Sequence, residues 1–172
     1  MSISLISENS WDGILKIQEE AYTELPPEDV NILKSKWFSS PKTCAVYLNH
    51  ENQIIAYLLA HPWASQTPPK LHEKSPVTNS SNLYIHDLAL ALEARGKGIA
   101  KKLVDNLIDN AKVQGFSKVL LVAVQNSDQF WAKFGFIAIP NAVICPSYGD
   151  RAKLMVLELK AKKNNNDLIH SA

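Results

Sequence analysis

The apolar positions of this chain follow two rhythms. Short runs in which apolar residues alternate or cluster read as strands: "ISLIS" at the start, "CAVYLN" and "QIIAYLLAHP" on either side of the turn "HEN", then "NLYIHDLALA", "KVLLVAVQ", "FIAI" and "AKLMVLELK". Elsewhere apolar residues recur every three or four positions, the helical spacing. Ile14, Ile17, Ala21 and Tyr22 do so within "SWDGILKIQEEAYTEL", which Pro26 and Pro27 end. Val30, Leu33 and Trp37 mark a second short helix. The strongest pattern is Ile99, Ala100, Leu103, Val104, Leu107, Ile108 and Ala111, which predicts an amphipathic helix over 95–114, stopped by Gly115. "SDQFWAKFG" reads as one more short helix.

The order is therefore strand, two helices, a hairpin, then β-α-β-α-β-β. A strand, a long helix and a second strand make a parallel βαβ unit, whereas the hairpin strands are antiparallel. The expected fold class is α/β (α+β), a mixed sheet with helices on both sides. Residues 64–81, "ASQTPPKLHEKSPVTNSS", form a loop long enough for a functional role.

The 172 residues fit one domain, expected over 1–160, with a polar tail at 161–172. Eighteen basic against seventeen acidic residues give a net charge of +1, which argues against a general nucleic-acid binder. No apolar run approaches the roughly 18 residues of a membrane span, and "MSISLISENSWDG" lacks the pattern of a signal peptide. Cys44 and Cys145 are isolated, and neither they nor the histidines show metal spacing. The expectation is a cytoplasmic enzyme or binding domain, monomeric or homodimeric, with no metal, no nucleic acid and no membrane.

The start of the long helix carries unusual chemistry. "LEARGKGIAKKLV" places two of the chain's six glycines among Arg95, Lys97, Lys101 and Lys102. Helix N-termini favour negative charge, so these cations oppose the helix dipole. Free N–H groups, glycines that admit a ligand to the backbone, and surrounding positive charge instead make an anion site suited to phosphate. The Walker motif is absent, and the dinucleotide fingerprint lacks its third glycine at Lys101. What remains is R-x-x-G-x-A at Arg95, Gly98 and Ala100, directly after the strand "YIHDLALA".

On this motif, with "VLLVAVQN" and "FWAKFGF" following in order, the chain resembles the GCN5-related N-acetyltransferase (GNAT) family over about residues 2–160. The resemblance implies a mixed, mostly antiparallel central sheet with helices on both faces, whose fourth and fifth strands splay apart around acetyl-coenzyme A. It implies that Leu88, Ala89 and Leu90 pair with the pantetheine arm. It places the pyrophosphate on the amides from Gly96 through Lys97, Gly98, Ile99 and Ala100 to Lys101, with Arg95 beside it. Asn126 matches a position that contacts the cofactor in relatives, or else serves as a turn or cap residue.

Tyr84 and His86 are two apart and share a face of a regular strand. An amine must lose a proton before it attacks a thioester, and histidine suits that task. The strand resembles that of the arylalkylamine N-acetyltransferases, which carry histidines at both positions. The reading is His86 as base with Tyr84 assisting, Asp87 pointing to the other face unless a bulge changes the parity. The resemblance also implies a tyrosine acid where this chain has Trp131, whose indole cannot serve. Trp131 is left to pack on the cofactor arm, with Tyr148 as the substitute acid or simply a loop tyrosine.

The implied acceptor site comprises residues 22–38, 62–82 and 140–152, with Tyr22, Trp37, Trp63 and Tyr148 near Glu24, Glu28 and Asp29. Aromatic groups with carboxylates suit a small primary amine. The expected function is acetyl transfer from acetyl-coenzyme A to such an amine by direct attack. A sensor that binds the cofactor without turnover, and acetylation of a protein or peptide amine, are the alternatives.

Overall fold

In a computed structural model that describes residues 1–160, the expected polar tail lies outside the described residues. Seven strands form one sheet: β1 (Ser2–Leu5), β2 (Ala45–Leu48), β3 (Ile54–Pro62), β4 (Asn82–Leu90), β5 (Lys118–Ala123), β6 (Ile137–Ala138) and β7 (Lys153–Glu158). Among the described residues four α-helices accompany it: α1 (Trp11–Ala21), α2 (Val30–Ser39), α3 (Ile99–Val113) and α4 (Asp128–Ala132). The sheet order is β1-β2-β3-β4-β5-β7-β6, antiparallel at every step except β4–β5. This is the mixed, mostly antiparallel sheet expected from the sequence.

The helices cover opposite faces, and the strand alternation assigns them. Leu58 of β3 adjoins Leu103 and Leu107 of α3. Tyr57, one residue away and therefore on the other face, donates to Asp87, which Tyr22 at the end of α1 also holds. Ile14, Leu33, Leu59, Leu83, Leu103 and Val119 are sealed in the two core layers. Both cysteines are free.

One boundary differs from the sequence reading, and one burial runs against the side chain's polarity. Helix α3 begins at Ile99, four residues late, because Gly96 (φ 72°) and Gly98 (φ 73°) take the left-handed conformation that glycine adopts without steric cost. On α2, Lys36 joins Leu33 inside, fully buried, where the polar-outside pattern places it in solvent.

Candidate active site

Strands β4 and β5 pair only from Asn82↔Lys118 to Ile85↔Leu121. Beyond Ile85 they part, and a cavity of about 390 Å³ occupies the gap. It runs from Arg95, Gly96 and Ala100 at one end to His86, Glu28 and Tyr148 at the other. A second cavity of about 790 Å³ shares Arg95, Gln125 and Tyr148 with it and is walled by Thr23–Leu25 and Gly149–Ala152.

A bulge creates the site's geometry. The β3–β4 register passes from Ala60↔Ile85 to Leu59↔Asp87, so His86 is an extra residue. In the antiparallel ladder, backbone groups turn alternately toward and away from the partner. The amide of Ala91 bonds the Ile55 carbonyl, which fixes the phase: Asp87 and Ala89 turn their main chain to β3, and Leu88 and Leu90 turn theirs to the gap. The expected trio of pairing residues thus reduces to Leu88 and Leu90, since Ala89 is committed to β3. The Leu88 carbonyl lies 3.2 Å from the Tyr22 hydroxyl, whose one proton goes to Asp87.

The bulge also changes side-chain parity. Asp87 faces the same side as His86, not the opposite side as in a regular strand. There the Tyr22 and Tyr57 hydroxyls hold its carboxylate. Burial pushes the Asp87 carboxyl up, against the charge of His86 and the two phenols. Both phenols are driven well above their usual range, by burial first and then by Asp87.

His86 lines the cavity, but not as an open ring. Its side chain is only 1% exposed, so what residue 86 presents is mainly backbone. The ring Nε2 lies 2.6 Å from Glu28 Oε1. Burial pushes the Glu28 carboxyl up; the His86 bond and charge, the His72 amide and Lys36 outweigh that and bring it down to about 2. Glu28 is therefore ionised, and the His86 nitrogen facing it carries a proton. The other ring nitrogen, Nδ1, is buried without a partner among the described residues. Glu28 is fixed in turn by Gln18, whose side chain bonds both the Glu28 amide (3.0 Å) and carbonyl (3.1 Å). The sequence suggested Glu28 only as an acceptor-side carboxylate; its pairing with His86, 58 residues away, left no local signal.

Tyr84 is sealed beneath the site, its hydroxyl 3.2 Å from that of Tyr148. Tyr148 donates its one proton to the Pro69 carbonyl at 2.6 Å, so Tyr84 is the donor between the two phenols. Burial pushes Tyr148 up to about 12. Trp131 also lines the cavity, packed edge-on against Phe130 and Phe136.

The long 64–81 segment is tied over the site. Glu28 Oε2 accepts from the His72 amide at 2.9 Å. Lys36 donates to the Glu73 carbonyl (2.6 Å) and to Ser75 Oγ (2.8 Å), and Ser35 accepts from the Ser75 amide at 3.0 Å. Burial lowers Lys36 to about 8, against the pull of Glu28 and Glu73.

At the other end, nothing lies within 4 Å of where a side chain at Gly96 or Gly98 would begin. With the α3 N-terminus behind them and Arg95 in the cavity wall, these residues fit a phosphate-bearing ligand. The four expected cations divide. Arg95 lines the cavity; Lys101 pairs with Asp105 at 2.5 Å; Lys102 turns away to the Tyr47 hydroxyl at 3.4 Å. Lys97 is exposed, and the Ile99 side chain is core, leaving only its backbone to the helix start. After β5, Gln125 (φ 54°) and Asn126 (φ 58°) are both left-handed, an unfavourable pair for non-glycine residues, and both line the second cavity. Gln125 was not among the expected residues. Among the described residues there is no cluster that would hold a metal ion, and no helix long and apolar enough to cross a membrane.

The model of a family described as the acetyltransferase (GNAT) family matches residues 11–136. The structure is similar to the ribosomal-protein-S18-alanine N-acetyltransferase from Escherichia coli, with a TM-score of 0.69 and 13% identity over 96% of this chain and 97% of that one. It is similar to a chain of the NatC complex bound to Gag peptide and CoA (TM-score 0.70, 21% identity, 92% and 98% covered). It is also similar to the GphF GNAT-like decarboxylase in complex with isobutyryl-CoA (TM-score 0.75, 14% identity, 93% and 100% covered). At these identities the likeness shows the fold alone. No sequence among the curated proteins matches the chain.

Proposed function

The chain belongs to the acetyltransferase (GNAT) family, and on that premise we propose that it transfers the acetyl group of acetyl-coenzyme A to the primary amine of a small molecule. The observation that carries this reading is the cavity that joins the glycine cradle at the start of α3 to the Glu28–His86 pair. A decarboxylase also uses this fold, so the assignment rests on these residues and not on the architecture.

Acetyl-coenzyme A supplies the activated thioester. The α3 N-terminus, Gly96, Gly98 and Arg95 hold its pyrophosphate, and the gap-facing backbone of Leu88 and Leu90 aligns its arm. The backbone at the His86 bulge and the following residues faces the reacting carbonyl, where an N–H stabilises developing negative charge. His86 is the base. With Nε2 committed to Glu28, the nitrogen that accepts a proton is Nδ1. Because the ring is sealed, the amine proton reaches it through water. Glu28 stabilises the resulting imidazolium.

Trp131 leaves the departing thiolate without the usual phenol, and of the phenols lining the same cavity, Tyr22 is held by Asp87, which leaves Tyr148 to replace it. Its raised value keeps it protonated at neutral pH, available as a donor once it turns from Pro69. Tyr148→Phe is expected to lower kcat by about tenfold or more, with little change in KM for acetyl-coenzyme A; equal turnover in a free-thiol assay would remove Tyr148 from the reaction.

The acceptor end favours a small, partly apolar amine. Tyr22, Leu25, Pro26 and Leu71 line it, and the 64–81 segment is tied across it at Pro69, His72 and Glu73. The test is release of free coenzyme A against a panel of arylalkylamines, alkylamines, polyamines and short peptides. The expected result is turnover with a small apolar amine. Turnover with peptides alone would overturn the small-molecule reading, and tight acetyl-coenzyme A binding with no turnover on any amine would favour a sensor.

A further inference from the structure

Two buried histidine nitrogens in this fold lack a partner among the described residues: Nδ1 of His86 and Nε2 of His61. They belong to neighbouring rings on β4 and β3, with centroids 6.1 Å apart. We propose that one water molecule sits between them, and that His61 thereby acts as a positioning residue for the proton-accepting nitrogen of His86. This rests on the reading of His86 as the base.

Polar atoms buried this deeply are almost always satisfied, by protein or by ordered water. The rings cannot satisfy each other directly. A ring nitrogen stands about 1.2 Å from its centroid, so a direct N–H···N bond brings centroids to within about 5.5 Å. At 6.1 Å that bond is out of reach, whereas one water making two bonds of about 2.8 Å bridges roughly this distance. His61 is fully buried, so bulk solvent does not compete for the position.

The tautomers give the bridge a direction. His61 Nδ1 lies 3.0 Å from the Pro62 carbonyl, which only accepts, so Nδ1 carries the hydrogen and Nε2 is an acceptor. Burial first, with the charge of His86 adding to it, holds His61 down to about 3, so the ring stays neutral while the site works. His61 therefore takes a proton from the water in a hydrogen bond and does not pass it on. While His86 is neutral, the water donates to both rings. When His86 gains a proton at Nδ1, the water turns to accept from it and still donates to His61. In both states both ring nitrogens keep a partner, and the proton that His86 gains is the one the attacking amine gives up.

The other titratable groups around His86 are already committed. Glu28, from the segment before α2, holds Nε2. Lys36 of α2 is bound to the strapping loop, Asp87 of β4 to two phenols, and Tyr84 of β4 to Tyr148. Among the described residues, His61 is thus the neighbour left to orient water at Nδ1.

The experiment is ¹⁵N NMR of the histidine rings in the full chain as pH is varied, for the wild type, His61→Gln and His61→Leu. In the wild type, His61 is expected as the Nδ1–H tautomer, with its Nε2 signal moving as His86 titrates. His61→Leu removes the water's acceptor and strands the Nδ1–H of charged His86, so the midpoint of the His86 titration is expected to fall by about one pH unit. Glutamine keeps an acceptor and is expected to hold the midpoint to within about 0.3 unit. An Nε2–H tautomer of His61, or a midpoint unmoved in His61→Leu, overturns the proposal. Should the leucine variant fail to fold, the wild-type tautomer and the coupling of the two rings decide. None of these readings requires turnover, so failure of the water bridge and failure of acetyl transfer remain distinguishable.

Discussion

His86→Gln is expected to lower kcat/KM by about 10²- to 10⁴-fold, the usual contribution of a positioned base. It is also expected to destabilise the fold. The Glu28 carboxylate would stay buried and keep the His72 amide but lose the His86 N–H, and leaving a buried charged group short of a partner costs about 1–3 kcal/mol or more. A Glu28→Gln/His86→Gln double variant should therefore recover stability while remaining inactive. That separation of stability from activity distinguishes a chemical role from a structural one. The same pair makes stability depend on pH. Glu28 is depressed in the folded state from 4.5 to about 2. A depressed carboxylate contributes fully above its unfolded value and loses that contribution as pH falls through the folded one. The loss is expected between about pH 5 and 2, and it should be missing in the double variant. Urea melts across that range and a free-thiol assay measure both effects. A pH–rate profile unchanged in His86→Gln would exclude His86 as the base.

Gly98→Val is expected to weaken acetyl-coenzyme A binding by at least about 100-fold. Gly98 caps α3 at φ 73°, ψ 11°, a conformation in which a β-branched residue is strained by about 1–2 kcal/mol. No protein atom lies near the added Cβ, so the fold offers no clash and should lose only that strain. The added methyl groups would instead occupy the surface over the helix N–H groups where the pyrophosphate is proposed to rest. Isothermal titration against acetyl-coenzyme A, beside a thermal melt, separates the two effects. Binding within a few-fold of wild type would move the phosphate site elsewhere.

Much of this was legible in local pattern. The period of Ile99, Leu103, Leu107 and Ala111 gave α3, and the two glycines with Arg95 gave the cradle, because helix starts and glycine conformations are decided within a few residues. Even there one tertiary partner is not local: Lys101 and Lys102 look alike in the basic patch, yet one side chain pairs with Asp105 a turn away and the other with Tyr47 on β2. Lys36 looks solvent-facing by period but is buried, because the loop that wraps it lies almost forty residues further on.

By itself the sequence determined the order of strands and helices, the family frame and the glycine-marked helix start proposed to hold phosphate, since these follow from periodicity and backbone preference between near neighbours. Only the tertiary structure decided how the chemistry is wired. One extra residue at His86 turned Asp87 onto the same face and removed Ala89 from the gap. The fold brought Glu28 to His86, put Tyr148 and Trp131 in the lining of one cavity, and left a ring nitrogen of His61 buried without a partner among the described residues. The physical reason is that a bulge depends on the pairing of two strands, and a buried polar group takes whatever partner packing brings to it.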